Sequence, residues 1–154
     1  MGILQNSNAI PSAAGGGAFY SHQIEQSLRF DEDASDSLTR TPSSAGNRRT
    51  WTWSCWIKRT VISHSGNHMV IWGADSGASS SYWQARFTNA DNFVINGNGS
   101  TEVAYSAVYR DTGGWGNYVI SYDTTQSTAS NRVKSYFNGV QLTDTSYNLS
   151  LIHI

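Results

Sequence analysis

Thr50-Trp51-Thr52-Trp53-Ser54-Cys55-Trp56-Ile57-Lys58 alternates with a period of two. Trp51, Trp53, Cys55 and Ile57 fall on one face, and Thr52, Ser54, Trp56 and Lys58 on the other, as a half-buried β-strand requires. One face is core and the other is mostly wet. The same period marks short strands at Ser27 to Phe30, Met69 to Trp72, Tyr82 to Phe87, Phe93 to Ile95 and Glu102 to Tyr105. Two longer strands follow at Tyr118 to Asp123 and Arg132 to Phe137, with Asp123 to Asn131 as a polar loop between them. Clusters of Gly, Asn, Asp and Ser separate these runs and supply turn chemistry. Asn96-Gly97-Asn98-Gly99 is a hairpin signal, and Asn138-Gly139 accepts positive φ at a tight turn. No segment keeps a helical period. Many short strands without intervening helices imply an antiparallel sandwich or barrel, because each strand must bury its apolar face against a second sheet.

Composition bounds the function. At 154 residues the chain is long enough for one domain with a real core. The formal net charge of -1 leaves no large positive field for nucleic acid or an anionic membrane. Cys55 is the sole cysteine, so neither an internal disulfide nor a thiolate zinc cluster can form. No signal peptide and no apolar run long enough to span a membrane is visible, and Met1-Gly2 lacks the hydroxyl residue at position six that myristoylation calls for. Residues 1–26 carry Pro11, Gly15-Gly16-Gly17 and many small polar residues, and read as an extended arm with Phe19 and Tyr20 as anchors.

The landmarks Ser27-Leu28-Arg29-Phe30-Asp31 leading to Ser37-Leu38-Thr39, then Trp53 to Lys58, Gly114 to Asp123 and Ser135-Tyr136-Phe137-Asn138-Gly139-Val140 resemble, in order and spacing, the laminin-G-like domains of the concanavalin-A-like lectin and glucanase superfamily. The resemblance covers most of the chain. It implies an antiparallel two-sheet jelly roll over 27–148 that binds glycan, a protein surface or calcium, with Trp115 as an anchor ahead of a buried strand. Family members continue past the Asn-Gly turn and return a final strand beside the first, so the resemblance implies a sandwich missing its C-terminal strands. Ile10-Pro11-Ser12 through the Gly run, together with Ser44 to Trp51, resembles proteins of marine tailed bacteriophages that carry such a domain. That implies a virion location and other virion subunits as partners; an accessory domain of a bacterial adhesin or secreted enzyme is the alternative. Leu149-Ser150-Leu151-Ile152-His153-Ile154 is similar to a translated sequencing adapter, which implies natural sequence ending near Asn148, although its alternation also permits a terminal strand.

Glycanases of this superfamily need paired carboxylates on one strand, in the pattern Glu-x-Asp-x-x-Glu. The only glutamates, Glu25, Glu32 and Glu102, do not fit it, so a noncatalytic module is expected. Trp56, opposite the core-facing tryptophans, and Trp83, in a polar run, are candidate sugar-stacking platforms. Arg48 and Arg49 are candidates for an acidic glycan or partner. Asp31, Asp33 and Asp36 form an oxygen-rich loop, with Glu32, that offers ligands for calcium without matching a known loop spacing. His64 and His68 stand four apart, but in a Gly-containing turn rather than on a helix, which argues against zinc. The sequons at Asn98 and Asn148 read as turn chemistry and as part of the adapter-like end.

Overall fold

A computed structural model describes residues 26–31, 34, 36–64, 68–75, 82–97, 99–143 and 146–147. The arm expected over 1–26, apart from its last residue, and the tail over 149–154 lie outside the described residues. So do Glu32, Asp33, Asn98 and Asn148. The chain divides into two compact units, 1–41 and 42–154.

In the first unit the described residues form no strand or helix. The strand expected at Ser27 to Phe30 is irregular backbone, and Leu28 and Phe30 are exposed. Alternation alone cannot hold a strand; it needs a neighbouring ladder, and none of the described residues supplies one.

The second unit is a β-sandwich. In chain order its strands are β1 (Thr50–Ile57), β2 (Met69–Asp75), β3 (Tyr82–Phe87), β4 (Asn92–Gly97), β5 (Ser100–Val108), β6 (Gly116–Asp123), β7 (Val133–Phe137), β8 (Val140–Gln141) and β9 (Ser146–Tyr147). One sheet has the order β1-β6-β7-β8 and the other β2-β3-β4-β5-β9. Every pairing is antiparallel. The chain crosses between sheets after β1, after β5 and after β8. The loop expected between the two late strands contains one 3-10 turn, Ala129–Asn131. Among the described residues no helix is long and apolar enough to cross a membrane.

Both hairpin expectations hold. Gly97 pairs with Ser100 across the β4–β5 turn, with Gly99 at φ 82°. Asn138 and Gly139 turn between β7 and β8 at φ 49° and 80°, values that Asn tolerates and Gly adopts freely.

The core follows from the alternation. Ala85 and Phe87 of β3, Phe93 and Ile95 of β4, and Val103 and Tyr105 of β5 meet Tyr118, Ile120 and Tyr122 of β6 and Val133 of β7. Phe87 and Phe93 each approach Tyr118 with ring centroids 5.5 Å apart. Trp51 stacks on Tyr122 at 4.8 Å, and Trp72 of the opposite sheet lies 5.1 Å from Trp51. Such pairs add about 0.5–1.5 kcal/mol each beyond the area they bury. Trp115, half exposed, directly precedes β6, whose alternate residues are buried from Gly116 onward, and Gly116 lies under the Phe137 ring.

Candidate functional site

β4 is the middle strand of the five-stranded sheet, and its regular pairing with β3 sorts its side chains by parity. Phe93 and Ile95 enter the core, so Val94 and Asn96 lie on the opposite, outer face. Yet Val94 is only 4% exposed and Asn96 only 2%. Arg86 stands across from Val94 and Gln84 across from Asn96 on β3, while Ala104 and Thr101 flank them on β5. The Asn96 amide donates from Nδ2 to the Tyr82 hydroxyl at 3.3 Å. Its Oδ1 is buried with no hydrogen-bond partner, and so is the Nε of Arg86. Arg86 and Asn96 are diagonal neighbours on this face, a relation that places two residues about 7–8 Å apart.

Buried polar groups are nearly always paired, so an acceptor and a donor without a hydrogen-bond partner on one sheet face stand out. Oδ1 accepts only, and Nε–H donates only. A hydroxyl does both, and a polyol presents several at once. The Arg86 charge also reaches the His68 imidazole, which burial first and Arg86 second hold below its usual range.

On the inner face the β4–β5 ladder contains a bulge. Ile95 pairs with Val103 and Asn96 with Thr101, which leaves Glu102 unopposed. Both Glu102 and Val103 are consequently buried, although strict alternation would send one of them outward. Glu102 Oε1 accepts from the Ser100 hydroxyl at 3.2 Å, and Oε2 has no partner. Gly97 makes room for it: a Cβ there would lie 3.2 Å from Glu102 Cγ and 3.5 Å from Trp83 Cε2. Glu102, at the start of the strand expected over Glu102 to Tyr105, is a buried carboxyl group, and the bulge is the reason.

A second buried polar cluster has no counterpart in the sequence reading. Asp91 sits in the β3–β4 turn at φ 65° and is fully buried. Its Oδ1 accepts from Arg59 Nη2 at 2.8 Å and from the Ser63 N–H at 2.8 Å. Its Oδ2 accepts from Arg110 Nε at 2.8 Å and from the Ser63 hydroxyl at 2.8 Å. Burial opposes the charge, but these donors, led by the Ser63 N–H and the two arginines, outweigh it and hold the carboxyl well below the usual carboxylate range. Arg59 also donates to the Tyr109 and Val61 carbonyls and lies 4.2 Å over the Phe87 ring. This cluster ties three connections of the sandwich together, and both oxygens of the Asp91 carboxylate are engaged within it.

The residues singled out from sequence are dispersed. Trp56, on the outer face of the four-stranded sheet across from Asn117, is 52% exposed. Trp83 shares the inward face of β3 with Ala85 and Phe87 and meets Tyr122 edge-on at 5.3 Å. Arg48 and Arg49 are exposed in the approach to β1, where the Arg49 carbonyl accepts from the Thr124 N–H at 2.9 Å. In the first unit, Asp31 and Asp36 are exposed, with the Asp31 N–H donating to Asp36 Oδ2 at 3.1 Å. Among the described residues no group of three His, Cys, Asp or Glu side chains is placed to hold a metal ion. His64 and His68 flank residues 65–67, which lie outside the described residues.

Asn96 was missed because it reads as the start of the hairpin signal Asn96-Gly97-Asn98-Gly99, and Arg86 because it stands as a polar residue within the run Tyr82 to Phe87. The signal was a polar residue directly following the apolar run Phe93-Val94-Ile95, still within strand β4. No protein-family model, no curated protein and no solved structure matches the chain.

Proposed function

We propose that this chain is a noncatalytic recognition module of the laminin-G-like, concanavalin-A-like jelly-roll class, carried on a phage virion appendage, and that it binds host-surface glycan on the outer face of its five-stranded sheet. The observation that carries the reading is the buried, unpaired Oδ1 of Asn96 beside the buried, unpaired Nε of Arg86. Sugar hydroxyls donate and accept together, so one glycosyl unit meets both needs, while half-buried Tyr82 offers an aromatic surface alongside. The near-neutral chain favours an uncharged or weakly acidic glycan over a polyanion. Trp56 lies on the other sheet and is not part of this site.

A glycan array probed with the wild-type chain, Asn96→Leu and Arg86→Met tests the assignment. Wild type is expected to bind a defined set of glycans, and each variant to lose roughly tenfold or more in affinity with its circular dichroism unchanged. Absence of wild-type binding across a broad array removes the glycan reading, and undiminished binding by both variants removes the site.

A further inference from the structure

A sheet edge is a row of unpaired backbone donors and acceptors, and proteins blunt such edges with short strands, bulges or charged residues. The sandwich has four edges, and three are treated this way. β8 and β9 are two residues each. β2 carries a register shift between Val70 and Trp72 and ends on Asp75. β1 is different. It runs for eight residues, pairs with β6 at every one of them without a shift, and contains neither a charge nor a proline. Among the described residues nothing pairs with its other side. The gap also shows in its burial: the inward residues of β6 are buried, whereas Trp51, Trp53, Cys55 and Ile57 of β1 are only half buried.

We propose that two copies of this chain pair through β1, antiparallel about a two-fold axis, so that their β1–β6–β7–β8 sheets become one continuous sheet. Opposed residues in an antiparallel ladder point to the same side, so the two outer faces stay aligned only when the paired residue numbers sum to an even number. The register centred on Ser54 satisfies this and is self-complementary. Ser54 meets Ser54 of the second copy, Trp56 covers Thr52, and Lys58 meets Thr50. Thr50 itself lies across from Asp123, so each Lys58 extends toward a carboxylate of the other copy. On the inner face Trp53 meets Cys55 and Trp51 meets Ile57, a large residue beside a smaller one at each rung. Shifting the centre to Trp53 would set two indoles on one rung and lose this fit. The arrangement covers the half-exposed Trp56 and the half-buried apolar side of β1 together, and generates an isologous, closed dimer.

Sedimentation velocity over a range of concentrations is the first measurement. Wild type is expected to be dimeric. Ser54→Lys and Ser54→Glu each place like charges opposite one another at the axis and are expected to weaken self-association by roughly tenfold or more. Mixing the two variants is expected to restore a dimer made of one of each, a rescue that no purely structural role of Ser54 produces. A monomeric wild type up to its solubility limit overturns the proposal, as does a Ser54→Lys variant that dimerises like wild type. Should Ser54→Lys fail to fold, Ser54→Cys in a Cys55→Ser background answers the same question. Opposed Cβ atoms about 4.5–5.5 Å apart come within reach of a disulfide with slight adjustment, so mild oxidation is expected to link two copies at position 54 and not at Lys58→Cys. A dimer that fails to cross-link there excludes this register. None of these substitutions touches Asn96 or Arg86, so the dimer and the glycan site stand or fall separately.

Discussion

The Arg59 guanidinium lies 2.8 Å from the Asp91 carboxylate, and the two side chains are 6% and 0% exposed. A charge pair so far from water stabilises only when both members are present, because removing one strands the other in a poor dielectric. Asp91→Asn keeps the size and tolerates the left-handed backbone, but it replaces one of the two acceptor oxygens by a donor facing donors. We expect it to cost roughly 3–5 kcal/mol in chemical denaturation. Arg110→Ala removes the other arginine, whose side chain is 57% exposed, and should cost less than about 1 kcal/mol. Equal losses in the two variants would refute the assignment of Arg59–Asp91 as the buried member.

The same carboxylate sets the acid limb of stability. Its folded pKa is depressed below the ordinary value, so the unfolded chain binds the proton more readily than the folded one. The stabilisation is fully present above the unfolded pKa of about 3.9 and is lost as pH falls below it. Wild type should therefore lose stability steeply below about pH 4. Asp91→Asn should start lower and fall less over that interval. Parallel acid-unfolding curves for the two proteins would exclude Asp91 as a contributor.

What could be read from sequence depended on whether neighbours in the chain carried the information. β3 is found at the expected Tyr82 to Phe87, because five of its six residues sort cleanly by parity and the turn signals at both ends are local. β1 and the Asn138–Gly139 turn were legible for the same reason. Ser27 to Phe30 alternates just as well and is not a strand, since pairing is a property of a partner rather than of the segment. The bulge that buries Glu102 and Val103 together is an event that period-two reasoning cannot register. Asp91 and Arg59 are 32 positions apart, and nothing local to either announces the other. The open Asn96 and Arg86 atoms needed the β3–β4 register before they shared a face.

Gly116 is where the β6 backbone passes under an aromatic ring. A Cβ added there collides with Phe137 Cε2 and comes within 3.1 Å of Phe137 Cζ and 3.2 Å of Tyr118 Cε2. Phe137 is itself held against Tyr118 at 4.8 Å and Tyr109 at 5.1 Å, so the ring has little freedom to move. Gly116→Ala should destabilise by about 1–3 kcal/mol through overpacking. Gly46, with nothing within 4 Å of the added carbon, is the control and should be neutral on thermal melting. A neutral Gly116→Ala would mean that the ring yields.

Alkali should attack the core through its tyrosines. Burial pushes the Tyr109 hydroxyl up to about 12, and it drives Tyr118 and Tyr122 further in the same direction. For a group whose folded pKa is raised, the stability contribution is fully present below the unfolded value, about 10, and is lost as pH climbs through the folded one. Tyrosinate absorbance from these three residues should thus appear only together with loss of near-ultraviolet circular dichroism, above about pH 10. Tyr109→Phe separates ionisation from packing, because the Tyr109 hydroxyl is buried without a partner and its removal breaks no hydrogen bond. That variant should match wild type at neutral pH and hold its fold to higher pH. Tyrosinate formation at ordinary pH in an intact fold would show instead that these hydroxyls reach water.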